Sequence, residues 1–383
     1  MKRSRPPTIL VDATDIDRLS GVRTAVLDLF RAVFAREPGW RYLIMVSQVE
    51  PEFDLPQVRQ IVIPVRNRVL ERLWIQAIVS YFALRGAVDL VHFARTMGGF
   101  SWPAKNVITV FDLTTLVHPE LHSRTAIWYW RLIAPLHLRA ADRVVAISQD
   151  VADDLIELAR VPAEKIEIVY CAPQSVFDEP IDAELVQTVM RKYDLPENYL
   201  LFVGMLARKK NLLTLIHAVH LLKDQMQFAP YLVLAGRRYR QSDDSAILGE
   251  IESLGMQSSI RYLGPVDTDT LRGLYGGAAA LVFPSLHEGF GIPCLEAMKC
   301  GVPVVAARSG AIPEIVGEAA LLVDDPLSDR ELADAIRRVL EDRALRQRLV
   351  LKGTRQAAVY SWARSADQLI DLYRHQLKTD SQR

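Results

Sequence analysis

The sequence predicts an α/β protein of two Rossmann-like, doubly wound domains in tandem, facing each other across a cleft. Three observations carry that expectation. Short apolar, β-branched runs alternate with longer amphipathic segments, the pattern of βαβ units in a parallel sheet covered on both faces. The series halts after residue 148 and starts again at 199. At 383 residues the chain also exceeds the size at which one hydrophobic core keeps growing.

Taken in order, the first strands are TILVDA (8–13), RYLIMVS (41–47), QIVIPV (60–65), VDLVHFA (88–94), NVITVFD (106–112) and RVVAIS (143–148). The stretch PAEKIEIVYCAPQSVFDEP, which contains Pro173 and Pro180, reads as irregular and marks the join. The second strands are YLLFVG (199–204), YLVLAG (231–236), RYLG (261–264), ALVFPS (280–285), VPVVAA (302–307) and ALLVDD (320–325). The expected domains are therefore 1–180 and 181–360, with a helix over about 361–383 returning to the first. Ligands of such sheets bind beyond the carboxyl ends of the strands.

Composition narrows the class of partner. Half the residues are hydrophobic, 24% are charged, the formal net charge is zero and the pI is 7.1, which argues against a nucleic-acid partner. Cys171, Cys294 and Cys300 form neither a paired framework nor a metal-ligand spacing, so they read as small core residues in a reducing, cytoplasmic setting. The start, MKRSRPPTILVD, runs through Pro6 and Pro7 into a strand and lacks a signal peptide's apolar region. The longest apolar stretch, LWIQAIVSYFAL (73–84), is too short to span a bilayer. Aromatic residues at helical spacing in 69–84 read first as core. The lesser reading is peripheral contact with the inner face of a membrane or a lipid-linked acceptor, with Arg66, Arg68 and Arg72 near anionic headgroups.

Two stretches carry chemistry. In HEGFGIPCLE (287–296), which follows the strand ALVFPS, Gly289 and Gly291 allow close backbone approach around Phe290 and Pro293 opens a short helix that Gly301 stops. The helix N-terminus suits an anion, Glu296 is expected in its first turn, and Glu288 precedes the loop. Carboxylates accept from hydroxyls, so phosphate flanked by hydroxyl-bearing groups describes a nucleotide sugar. A tight turn with Glu296 complementing the helix dipole is the plainer alternative. In FVGMLARKKNLLTLIHAV (202–219), a strand ends at Gly204, a loop carries Arg208, Lys209 and Lys210, and Asn211 is expected to cap the following helix. Cations at that strand end would offset charge on a leaving diphosphate without a metal.

The segment GPVDTDTLRGLYGGAAALVFPSLHEGFGIPCLEAMKCGVPVVAARSGAIPEIVGEAALLVDD (264–325) resembles the nucleotide-sugar-binding half of the retaining glycosyltransferases of family 4. The likeness extends through VGMLARKKNL (203–212), ADRVVAISQDVADDL (141–155), ITVFDLTTLVHPE (108–120) and LSGVRTAVLDLF (19–30), and the final helix is similar to the family's closing helix. The resemblance implies the GT-B fold, with acceptor recognition in the first domain and donor binding in the second. It implies that Glu288 and the backbone of Gly289 to Gly291 hold the donor sugar and nearer phosphate, that Glu296 accepts from ribose hydroxyls, and that Lys209 and Lys210 bind the diphosphate. Gly21 corresponds to a glycine in a loop after the first strand that approaches the phosphates. Asp112 follows Phe111 where many members carry His before the aspartate, and Met205 stands where some carry Arg.

The function expected is transfer of a sugar from a nucleotide diphosphate sugar to a carbohydrate or lipid-linked acceptor hydroxyl, with anomeric retention and no metal or other cofactor. Glu288, Lys209, Lys210 and Asp112 are the catalytic candidates. A sugar-nucleotide epimerase and a silent sugar-binding subunit are the alternatives. DID (15–17) and DTD (267–269) imitate a metal-holding aspartate pair, but the second sits where a helix N-cap belongs. His118 and His122 have the spacing of ligands on one helix, without a supporting HExxH.

Overall fold

A computed structural model of the chain describes residues 5–14, 21–63, 67–95, 98–225, 230–238 and 241–379. It divides into two compact units, Met1–Ala172 with Tyr360–Arg383, and Pro173–Val359. The possible aspartate pair at 15–17 and Arg66 lie outside the described residues.

The first unit holds β1 (Thr8–Asp12), β2 (Arg41–Val46), β3 (Val58–Val62), β4 (Leu90–Phe93), β5 (Lys105–Val110), β6 (Arg143–Ala146) and β7 (Ile166–Ile168). They form one parallel sheet in the order β3-β2-β1-β4-β5-β6-β7. Every residue of β1 and β4 is buried, as expected of central strands covered on both faces. The seventh strand lies within the stretch read as irregular. It has only three residues, sits at the sheet edge and exposes Glu167, so it lacks the continuous apolar run that marks its neighbours.

The second unit holds β8 (Tyr199–Val203), β9 (Leu232–Ala235), β10 (Ile260–Gly264), β11 (Ala278–Phe283), β12 (Val304–Ala307) and β13 (Ala320–Val323). These form a second parallel sheet in the order β10-β9-β8-β11-β12-β13. In each sheet the winding reverses beside a central pair, β1 and β4 in the first, β8 and β11 in the second. The crevice at such a reversal is where open α/β sheets bind ligands, because loops on its two sides diverge to opposite faces.

The returning helix Trp362–Thr379 closes the first unit's core. Tyr373 is fully buried against His92, whose other ring nitrogen lies 2.7 Å from the Thr109 hydroxyl. Burial pushes the His92 pKa down to about 3, so the ring stays neutral. Among the described residues no helix is long and apolar enough to cross a membrane.

Four local expectations need correcting. Trp74 and Tyr81, read as core, are 57% and 51% exposed, because the helix Arg68–Leu84 buries a different stripe. Gly21 lies in the helix Gly21–Arg36 and not in a loop. Asn211 is left-handed (φ 54°); its side-chain oxygen accepts from the Thr214 hydroxyl (2.8 Å), and its amide donates to Pro284 O (3.2 Å), tying down the loop after β11. His118 and His122 do not share a helix: the first follows Thr114–Val117 and lies 3.0 Å from Glu120, the second follows Pro119–Leu121. Cys171 and Cys294 are buried free thiols, and Cys300 is half-buried.

Candidate active site

The site is built from the loops that follow β8 and β11, the two strands at the second sheet's reversal. After β8, Gly204 donates its N–H to Ala235 O (2.9 Å), and the chain makes a short 3-10 turn over Arg208–Lys210. Arg208 is exposed, Lys209 half-buried and Lys210 buried. The loops are stitched together by Leu286 N–H donating to Lys209 O (2.8 Å), in addition to the Asn211 bond. Lys210 is thereby directed inward: its ammonium donates to Glu288 Oε1 and lies 4.9 Å from the Phe283 ring centroid.

Glu288 is held from its backbone as well. Ala311 N–H donates to Glu288 O (2.9 Å), and Gly310 lies so close that a Cβ there would meet Glu288 O at 2.5 Å and Glu288 N at 2.9 Å. Gly310 also has φ 52°, so a side chain at this position would be strained as well as crowded. Burial would raise the Glu288 pKa, but the charges of Lys210 and Lys209 and the hydrogen bond from Lys210 bring it below the ordinary carboxylate value. Glu288 is an ionised carboxylate in a buried ion pair.

Beyond it, Phe290 is buried and Gly291 takes φ 104° at the N-cap of the helix Ile292–Lys299. A side chain there would strike Ile312 Cδ1 at 2.5 Å, so the glycine allows the loop to turn sharply into the helix. Pro293 lies in the first turn, but Glu296 is the fifth helical residue and falls past it, which removes a role in complementing the helix dipole. Glu296 is buried and accepts from the Tyr275 hydroxyl at 2.9 Å. Burial raises its pKa to about 7, against which the Tyr275 hydrogen bond pulls down. The two glutamates therefore differ: one is paired with a cation, the other lies in a pocket that disfavours its charge.

That difference has a sign in stability. Unfolded, Glu296 titrates near its ordinary 4.5; folded, it titrates near 7, so between these values the native state retains a proton that the unfolded state releases. Its contribution is therefore most favourable below the unfolded value and is lost as pH rises through the folded one. Glu296→Gln is expected to raise Tm at about pH 8 relative to wild type and to change it little at about pH 4.5. Thermal melts at the two pH values check this, and an equal shift at both would reject it.

Gly204, Lys209, Lys210, Glu288, Gly289, Phe290, Gly291 and Glu296 all belong to the second unit, whereas Gly21 and Asp112 belong to the first. Asp112 follows β5 and accepts from Thr114 N–H (3.2 Å). The nearby Asp154 carboxyl is pushed up to about 7 by burial and by Asp150, Glu157, Asp153 and Asp112. The imitation of a metal pair at 267–269 is a helix cap: Asp267 accepts from Thr270 N–H at 2.7 Å. Arg237 Nε lies 3.4 Å from Met205 Sδ, so a guanidinium stands beside the position where some family members carry Arg. Sequence reasoning missed Tyr275 and Gly310; only the run of small residues around Gly310 offered a signal.

The family described as Glycosyl transferases group 1 matches residues 188–356, and that described as Glycosyltransferase Family 4 matches residues 19–172. The O-antigen chain mannosyltransferase B of Escherichia coli is 33% identical over 269 residues, 70% of this chain and 70% of that protein. The serotype-specific mannosyltransferase WbdA of Escherichia coli is 31% identical over 287 residues, covering 73% of this chain but only 34% of that relative's length. The solved sucrose-phosphate synthase of Thermosynechococcus elongatus has a TM-score of 0.79 at 23% identity, over 97% of this chain and 100% of that one.

Proposed function

We propose, from the premise that the chain belongs to the family 4 glycosyltransferases, that it moves a sugar from a nucleotide diphosphate sugar to an acceptor hydroxyl with retention of anomeric configuration. Membership makes it a glycosyltransferase, and the names of its O-antigen and serotype-specific relatives favour a surface polysaccharide as the product. The named activity of those relatives favours a mannosyl donor; a carbohydrate or lipid-linked acceptor, met on the cytoplasmic side, belongs to the same proposal.

The observation that carries the reading is the convergence of Lys209, Lys210, Glu288 and the 289–291 loop at the reversal point of the second sheet. A diphosphate at this place would be met by the two lysines and by the start of the helix Ile292–Lys299. The charge needed on the leaving group would come from fixed cations, which require no reorganisation during reaction. Glu296, with Tyr275 fixing one of its oxygens, would accept from ribose hydroxyls with the other. No paired nucleophile and base emerge among these residues. The reading is therefore front-face attack, in which the acceptor oxygen bonds to the anomeric carbon as the bond to the phosphate oxygen breaks, and the departing phosphate takes the acceptor's proton.

A thermal-shift screen against UDP, GDP, ADP and TDP sugars tests donor binding, since a ligand at a hundredfold excess over its Kd adds about 2.7 kcal/mol. One nucleotide series should raise Tm, and its turnover should persist in EDTA because lysines carry the charge. Loss of turnover on chelation with recovery in manganese would overturn the metal-independent reading. Nucleotide-sugar consumption without any acceptor would point instead to an epimerase.

A further inference from the structure

The connections β3 to β4 and β5 to β6 advance in the same direction across the first sheet, whereas β1 to β2 runs the other way. With right-handed crossovers, the helix Arg68–Leu84 and the helices Arg124–Leu132 and Ala134–Ala140 therefore lie on one face, and Gly21–Arg36 on the other. On that other face, Trp362–Thr379 is tied to Gly21–Arg36 by Arg36 donating to Asp367 at 2.8 Å.

The face with Arg68–Leu84 has an unusual outer side. A helix lying on a sheet ordinarily turns polar residues to solvent. This one buries Ile75, Val79 and Ala83, yet Leu70, Leu73, Trp74, Tyr81 and Leu84 are each more than half exposed. Their spacing is a single helical stripe. Phe100 joins this helix to its neighbour: its backbone N–H and O bond the Gln76 side chain (3.0 and 2.7 Å), and its ring lies 4.8 Å edge-on from His137. Two residues on, Trp102 is 80% exposed. On the adjoining helices Trp128, Leu132 and Leu136 are again more than half exposed.

The charges interleaved with these residues have one sign. Residues 68–85, 98–105 and 121–141 contain a single carboxylate, Glu71, which is buried and lies 3.8 Å from Arg95. Arg124 and Arg131 are exposed beside Trp128 and Leu132, and Arg85 stacks 4.4 Å over Tyr81. Net charge over the whole chain is zero, so the bias belongs to this face.

We propose that this face of the first unit docks on an anionic lipid bilayer, with the tryptophans entering the headgroup layer and the arginines meeting lipid phosphates. Tryptophan and tyrosine are amphipathic and settle at the membrane interface, and arginine holds its charge at headgroup depth while its stem covers apolar surface. A second copy of the chain fits the face less well, because a two-fold contact would bring arginines together with no carboxylate to receive them.

The full chain is floated with vesicles of phosphatidylcholine alone or mixed with phosphatidylglycerol. Binding should be strong only to the mixed vesicles, shift tryptophan fluorescence to shorter wavelength, and weaken as salt rises. Arg131→Ser should lose roughly fivefold in affinity, and Trp74→Ser should lose more, with unchanged Tm because both side chains are exposed. Absence of binding, equal binding to both vesicles, or wild-type binding by both variants would overturn the proposal. So would a dimer in light scattering that Trp74→Ser dissociates while vesicles remain unbound, which would make the face a self-association surface.

Discussion

Lys210→Ala is expected to lower kcat/KM roughly a hundredfold to a thousandfold, the loss typical when one preorganised charge stabiliser is removed from a developing anion. The ammonium is buried, donates to Glu288 and is fixed by the turn Arg208–Lys210, so solvent is poorly placed to replace it. The same substitution leaves Glu288 as an uncompensated buried carboxylate, which costs about 3–5 kcal/mol in comparable pairs. Stability and catalysis are separated by the double variant Lys210→Ala with Glu288→Gln, which removes both charges. It should recover much of the lost Tm and none of the lost rate. Recovery of both would mean that Lys210 serves only to neutralise its partner.

Glu288→Gln should show the second large effect, with the opposite profile. The amide keeps the shape of the carboxylate and removes its negative charge beside the two lysines. Nucleoside diphosphate affinity should hold or tighten, because the lysine charge is freed for phosphate, while sugar transfer falls roughly a hundredfold. Calorimetric titration with the nucleoside diphosphate and initial rates with the sugar donor measure the two arms. A parallel loss in both would place Glu288 in nucleotide binding and not at the sugar.

These effects were legible from short stretches because their residues lie close together in the chain. HEGFGIPCLE and the LARKKN loop each follow a strand, and a doubly wound sheet brings the two strand ends side by side. The supports of the site were not legible. Tyr275 reaches Glu296 across 21 positions, and Gly310 touches Glu288 from the loop after β12, so each depends on tertiary packing that leaves no local pattern. Central strands declared themselves through uninterrupted apolar runs, whereas β7, three residues long with Glu167 at its centre, did not. The helix Arg68–Leu84 failed for another reason. Periodicity reveals that apolar residues form stripes, but in a helix with two such stripes it does not reveal which one meets the sheet.

Retention and transfer are both read by proton NMR of the reaction, run with the nucleotide sugar that raises Tm and an oligosaccharide acceptor. The donor's anomeric signal should fall as free nucleoside diphosphate appears, and the new glycosidic linkage should carry the donor's anomeric configuration. A product of inverted configuration, or an acceptor left unmodified while the donor sugar is epimerised, would contradict retaining transfer.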